Sequence, residues 1–115
     1  MIVARGVVVG AAKRVAAPGE WRTNVALGAS VVRAVPPPVA SRLALEAAAA
    51  SGLDLVGVDL LPTGPGGYCV LELNGAVDFR PAYSFSGRNV FDDTVAALTG
   101  GRADVPGLES AVAAT

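Results

Sequence analysis

Asp59, Glu72 and Asn74 are the residues whose types and spacing best suit chemistry, because each sets an oxygen donor among Val and Leu. Glu72 and Asn74 stand two apart in an apolar run, so on a strand their side chains leave the same face and Leu71 and Leu73 leave the other. The turn-forming segment Pro62-Thr63-Gly64-Pro65-Gly66-Gly67 separates this run from Leu53–Leu61, which predicts an antiparallel hairpin. With the loop centred near Gly64 and Pro65, Asp59 falls opposite Glu72 or within a residue or two of it. Register decides whether it shares that face. A carboxylate in apolar surroundings needs a partner. A hard divalent cation is one candidate, since magnesium takes one or two carboxylates together with waters and substrate phosphates. Two plainer readings stand beside this one: edge-strand charges facing solvent, and Asn74-Gly75 as a simple turn.

A second group is cationic: Lys13, Arg14 and Arg22. An arginine grips a phosphate or carboxylate through two parallel hydrogen bonds. Arg22 follows Trp21, so a surface stacking pair is the plainer reading of that residue. Other chemistries are excluded. The chain has no histidine, so it cannot build a Ser-His-Asp triad or a histidine-ligated zinc site by itself. Its single cysteine, Cys69, can form no internal disulfide, which fits a reducing compartment. The glycines around Pro65 are not followed by the Gly-Lys-Ser/Thr of a phosphate loop, and no Gly-x-Gly-x-x-Gly lies between a strand and a helix.

The elements that must position these groups are short. Ile2–Ala4 and Val7–Ala17 read as strands joined at Arg5-Gly6. Trp21–Leu27 is a further extended candidate, and Val31–Val35 is a β-branched strand. Pro36-Pro37-Pro38 then opens a helix over Val39–Ser51, with Val39, Leu43, Ala47 and Ala50 at helical spacing and Gly52 as its stop. Arg80–Arg88 is irregular. Val90–Leu98 is a final short helix ending at Gly100-Gly101. The expected fold class is α+β, an antiparallel sheet with packed helices. Residues 1–100 form the ordered part, and the tail 101–115 is expected to be loosely held.

The chain has 115 residues, 52% of them hydrophobic, enough for one modest core. A formal net charge of −1 gives no reason to expect a nucleic-acid partner. The charges near the N-terminus follow the apolar run rather than precede it, and no stretch approaches the roughly 20 apolar residues of a membrane span. The expected location is the cytoplasm.

Taken together, three segments resemble the C-terminal part of the ATP-grasp superfamily, in the branch of RimK-like carboxylate–amine ligases. They are Glu20-Trp21-Arg22-Thr23-Asn24-Val25-Ala26-Leu27-Gly28, Gly57-Val58-Asp59 and Leu71-Glu72-Leu73-Asn74-Gly75. Each piece alone is weak; their order and spacing are specific. The resemblance implies a lobe that binds ATP and magnesium, or manganese in its place. It implies that Asp59 holds one metal, Glu72 bridges two and Asn74 completes the second. Arg22 would contact the terminal phosphate and the acyl-phosphate. Asn24 would shape the same pocket, and Lys13 or Arg14 would support the phosphates. The implied reaction joins a carboxylate to an amine. The segment Gly75–Phe79 is placed to touch substrate. The adenine-clamping segment and phosphate-binding lysines of the family's first lobe have no counterpart here. The chain is therefore expected to be a partial domain that is inactive alone and works with a separately encoded N-terminal half or a second copy. The alternative is a non-catalytic remnant that docks on another protein.

Overall fold

A computed structural model describes residues 1–19 and 30–100. Within them lie six strands: β1 (Ile2–Ala4), β2 (Val7–Gly10), β3 (Ala12–Val15), β4 (Ser30–Arg33), β5 (Leu55–Gly64) and β6 (Gly67–Asn74). Two helices, α1 (Pro38–Ser51) and α2 (Val90–Thr99), and a 3-10 turn at Pro81–Tyr83 complete the described part. This is an α+β arrangement, as the sequence suggests. The extended segment expected over Trp21–Leu27 and the tail 101–115 lie outside the described residues.

Four strands form one antiparallel sheet in the order β2-β1-β5-β6. Strand alternation gives it two apolar faces. On one, Val3, Val8, Val56 and Val58 meet Ala44, Leu45 and Ala48 of α1. On the other, Ile2, Ala4, Val7 and Val9 meet Val90 and Ala97 of α2. Six valines in this double core are fully buried, each contributing about 1.5–3 kcal/mol.

The helix ends follow local chemistry. Pro38 occupies the first turn of α1, where its missing N–H costs nothing, and Gly52 closes the helix at φ 72° with its N–H on the Ala49 carbonyl. The Asn89 side chain accepts from the N–H groups of Phe91 and Asp92 and caps α2. Asp92 and Asp93 in the first turn complement the helix dipole.

Two expectations are corrected. The packed stripe of α1 is Ala40, Ser41, Ala44, Leu45 and Ala48, with Val39 exposed. Small residues dominate that face, and their size permits the helix to pack closely on the sheet. The stretch expected as one strand from Val7 to Ala17 is broken at Ala11. The Ala11 N–H donates to the Tyr83 carbonyl at 2.9 Å. Beyond it the chain leaves the sheet, and β3 pairs with β4 in a separate two-stranded ribbon.

Candidate functional site

The β5–β6 hairpin sets the geometry. Pro65-Gly66 makes its turn, and the strands pair with Asp59 directly across from Glu72 and Gly57 directly across from Asn74. Directly opposed residues of an antiparallel pair share a face, and Glu72 and Asn74 share it by alternation. The three oxygen-bearing side chains therefore leave one side of the sheet. It is the side on which α2 packs, beyond the part that the helix covers. A register shift follows at once: Leu60 pairs with Val70, leaving Leu71 as the extra residue of a β-bulge beside the acidic pair.

Two carboxylates directly opposed repel across about 5 Å, so fold stability alone does not favour the pair. Glu72 and Asn74 are exposed and Asp59 is half-buried. Like-charge opposition, more than burial, therefore asks for a cation here. Among the described residues no third carboxylate, thiolate or imidazole joins them to make a larger metal cluster. The third donor is the Asn74 amide. Its Oδ1 accepts from the Ala76 N–H at 2.9 Å, the local turn anticipated at Asn74-Gly75, and retains one lone pair for another partner. Two carboxylates and an amide oxygen suit a hard oxygen-seeking cation that keeps waters and phosphates as its remaining ligands.

Arg14 reaches this face from the ribbon, with Nη2 3.5 Å from Asp59 Oδ1. Alternation along β3 sends Lys13 to the opposite face of the ribbon, so only one of the two neighbouring cations meets the carboxylates. Arg22 and Asn24 lie outside the described residues.

A cleft of about 100 Å³ adjoins the group, lined among others by Arg14, Gly57, Asp59, Asn74, Asp78 and Tyr83. It has room for several water-sized groups. The Met1 amino group, also at this cleft, donates to the Val58 carbonyl at 2.7 Å. Burial lowers its pKa from the ordinary value, Asp59 opposes that shift, and Arg14 adds to it.

The wall from Val77 to Tyr83 is held by the 3-10 turn, by the Ala11–Tyr83 hydrogen bond and by Ser84, whose hydroxyl accepts from the Val90 N–H. Asp78 falls in the segment expected to touch substrate. Tyr83 falls in the segment that reads as irregular, and nothing in local spacing marks it, because its place depends on contact with β2.

The fold is an α+β lobe that carries two carboxylates and an amide oxygen on one sheet face, with an arginine reaching Asp59 from the ribbon. A family model for the RimK-like ATP-grasp domain matches residues 1–98, and the chain belongs to that family. Similar curated proteins include the "Probable alpha-L-glutamate ligase" of Aeromonas salmonicida (strain A449), 36% identical over 77% of this chain and 30% of that protein. The "Probable alpha-L-glutamate ligase 2" of Hahella chejuensis (strain KCTC 2396) is 37% identical over 72% of this chain and 27% of its own length. The "Probable alpha-L-glutamate ligase" of Marinobacter nauticus (strain ATCC 700491 / DSM 11845 / VT8) is 40% identical over the same two shares. The chain spans under a third of the length of these relatives. Among the described residues, no helix is long and apolar enough to cross a membrane.

Proposed function

We propose that this lobe supplies the metal- and phosphate-binding side of an ATP- and magnesium-dependent carboxylate–amine ligase, acting in the cytoplasm. Manganese would serve in place of magnesium. The observation that carries the reading is the direct opposition of Asp59 and Glu72, with Asn74 on the same face and Arg14 beside Asp59. The relatives' names support a ligase, and they point to an amino acid such as L-glutamate as the amine substrate.

In this reading Asp59, Glu72 and Asn74 would hold the metal ions. Bound metal would neutralise charge on the phosphoryl oxygens. Arg14 grips phosphate oxygens from the ribbon side, and Lys13, on the opposite face, serves at most at longer range. Arg22 contacts the terminal phosphate and the acyl-phosphate formed from the substrate carboxylate, and Asn24 shapes the same pocket. That acyl-phosphate forms when the terminal phosphoryl group of ATP passes to the carboxylate and ADP leaves; attack of the amine then forms an amide or peptide-like bond and releases phosphate and a proton. No protein nucleophile is required, in keeping with a chain that lacks histidine. The proposal covers one side of a ligase site.

Thermal unfolding with magnesium and ATP tests the reading. A ligand at 100 times its Kd stabilises the folded state by about 2.7 kcal/mol, so the midpoint should rise by about 10 °C or more. Asp59→Asn and Glu72→Gln should each abolish most of that rise. An unchanged midpoint for the parent chain, or an equal rise in both variants, would refute it.

A further inference from the structure

One flank of α2 is apolar and uncovered. The sheet takes Val90, Thr94 and Ala97, which are buried. At about 100° per residue, the next side chains round the helix are Leu98, Phe91 and Val95, so a largely apolar arc of about 160° runs from Ala97 to Val95. A helix that packs on one partner needs little more than about 100°. Phe91 is 43% and Val95 61% exposed, and the Phe79 ring lies 5.7 Å from that of Phe91. Single exposed apolar side chains are ordinary, whereas adjoining ones mark a contact surface. Asp92 is the only exposed charge on the helix, since Asp93 is buried against Arg88.

We infer that residues 108–115 of this chain fold back across that flank, setting Leu108 beside Val95 and Val112 beside Phe91. Residues 101–115 follow directly on Gly100, the cap of α2. The stretch 101–107, with Gly101, Pro106 and Gly107, gives a connection of about seven residues, within the ~2–8 usual between packed helices. Leu108-Glu109-Ser110-Ala111-Val112-Ala113-Ala114 consists mostly of helix formers, and Leu108 and Val112 stand one turn apart, as Phe91 and Val95 do. As a helix, 108–115 would span about 12 Å, against about 11 Å from Leu98 back to Phe91. So short a segment is not a stable helix by itself, and for that reason its sequence reads as loosely held; the flank supplies the apolar partner it lacks. The tether keeps the two at a high effective concentration, an advantage that a second copy does not have.

Paramagnetic labelling of the full chain tests the contact. In a Cys69→Ser background, Ser110→Cys carries a nitroxide on the side of the segment away from Leu108 and Val112. The label should remove most of the amide signal of Phe91 and Val95 and leave Ala44 and Leu45, across the sheet on α1, much less affected. Val95→Asp, a change at an exposed position that keeps the fold, should abolish that loss. Leu108→Asp combined with Val112→Asp should lower the thermal midpoint of the parent chain by about 4–8 °C and have no further effect once Val95→Asp is present. Signal loss that is absent, that is equal on both faces of the sheet, or that survives Val95→Asp would overturn the inference. So would the same loss appearing when labelled chains are mixed with unlabelled, isotope-enriched ones, since that would assign the flank to a second copy.

Discussion

Gly10→Ala should destabilise the chain far more than Gly57→Ala, although both glycines lie in strands of the same sheet. A methyl group at Gly10 would stand 2.7 Å from the Tyr83 carbonyl oxygen and 2.8 Å from Val90 Cγ2. These neighbours would have to give by roughly half an ångström or more to reach ordinary contact. One of them is backbone, and that same carbonyl accepts the Ala11 N–H. Overpacking costs about 1–3 kcal/mol and a strained or lost hydrogen bond about 0.5–1.5 kcal/mol. Lower entropy of the unfolded Ala chain returns about 0.4–1 kcal/mol. The net loss is about 1–3 kcal/mol, or at least about 5 °C in the midpoint for a domain of this size. At Gly57 the nearest atom to an added methyl is the Asn74 carbonyl oxygen at 3.6 Å, an ordinary contact. Gly57→Ala should therefore leave the midpoint within about 3 °C or raise it slightly. Calorimetry of the two variants decides the matter. Equal midpoints would show that Tyr83 does not lie against β2 as described, and the wall of the cleft would lose its anchor.

Two further outcomes are expected. Asp93→Asn should cost about 2–4 kcal/mol by urea unfolding, because Arg88 would keep its charge without the carboxylate that now meets it at 2.8 Å in a largely buried position; Arg88→Met combined with Asp93→Leu should recover much of that loss. Asn89→Ala removes the acceptor of two N–H groups at the start of α2 and should cost about 1 kcal/mol in the same measurement.

How much of the site was legible depended on the range of the forces involved. The Asp59–Glu72 opposition could be read to within a residue or two, because a hairpin register follows from a loop whose Pro and Gly content is local information. The bulge at Leu71 could not be read, since no Gly or Pro marks it and it shows only in the pairing of Leu60 with Val70. The packed face of α1 escapes the sequence pattern for a related reason. In Ala40, Ala44 and Ala48 the burial signal comes from smallness, and a search for the largest apolar side chains passes over it. The break at Ala11 depends on Tyr83, more than seventy residues away, so local pattern had no means of separating β2 from β3. That break also decides which of Lys13 and Arg14 meets Asp59, and residue type alone left the two equal.

The site thus spans two sheets that are controlled separately. Asp59, Glu72 and Asn74 belong to one hairpin, whose register holds them together whatever happens elsewhere. Arg14 belongs to the ribbon. Its approach to Asp59 is set where the chain leaves the first sheet at Gly10-Ala11 and is gripped by the Tyr83 carbonyl. A change at this junction should lengthen the Arg14–Asp59 pair while leaving the carboxylate opposition intact. A change in the Pro65-Gly66 turn should do the reverse, spoiling the opposition while the ribbon keeps its place.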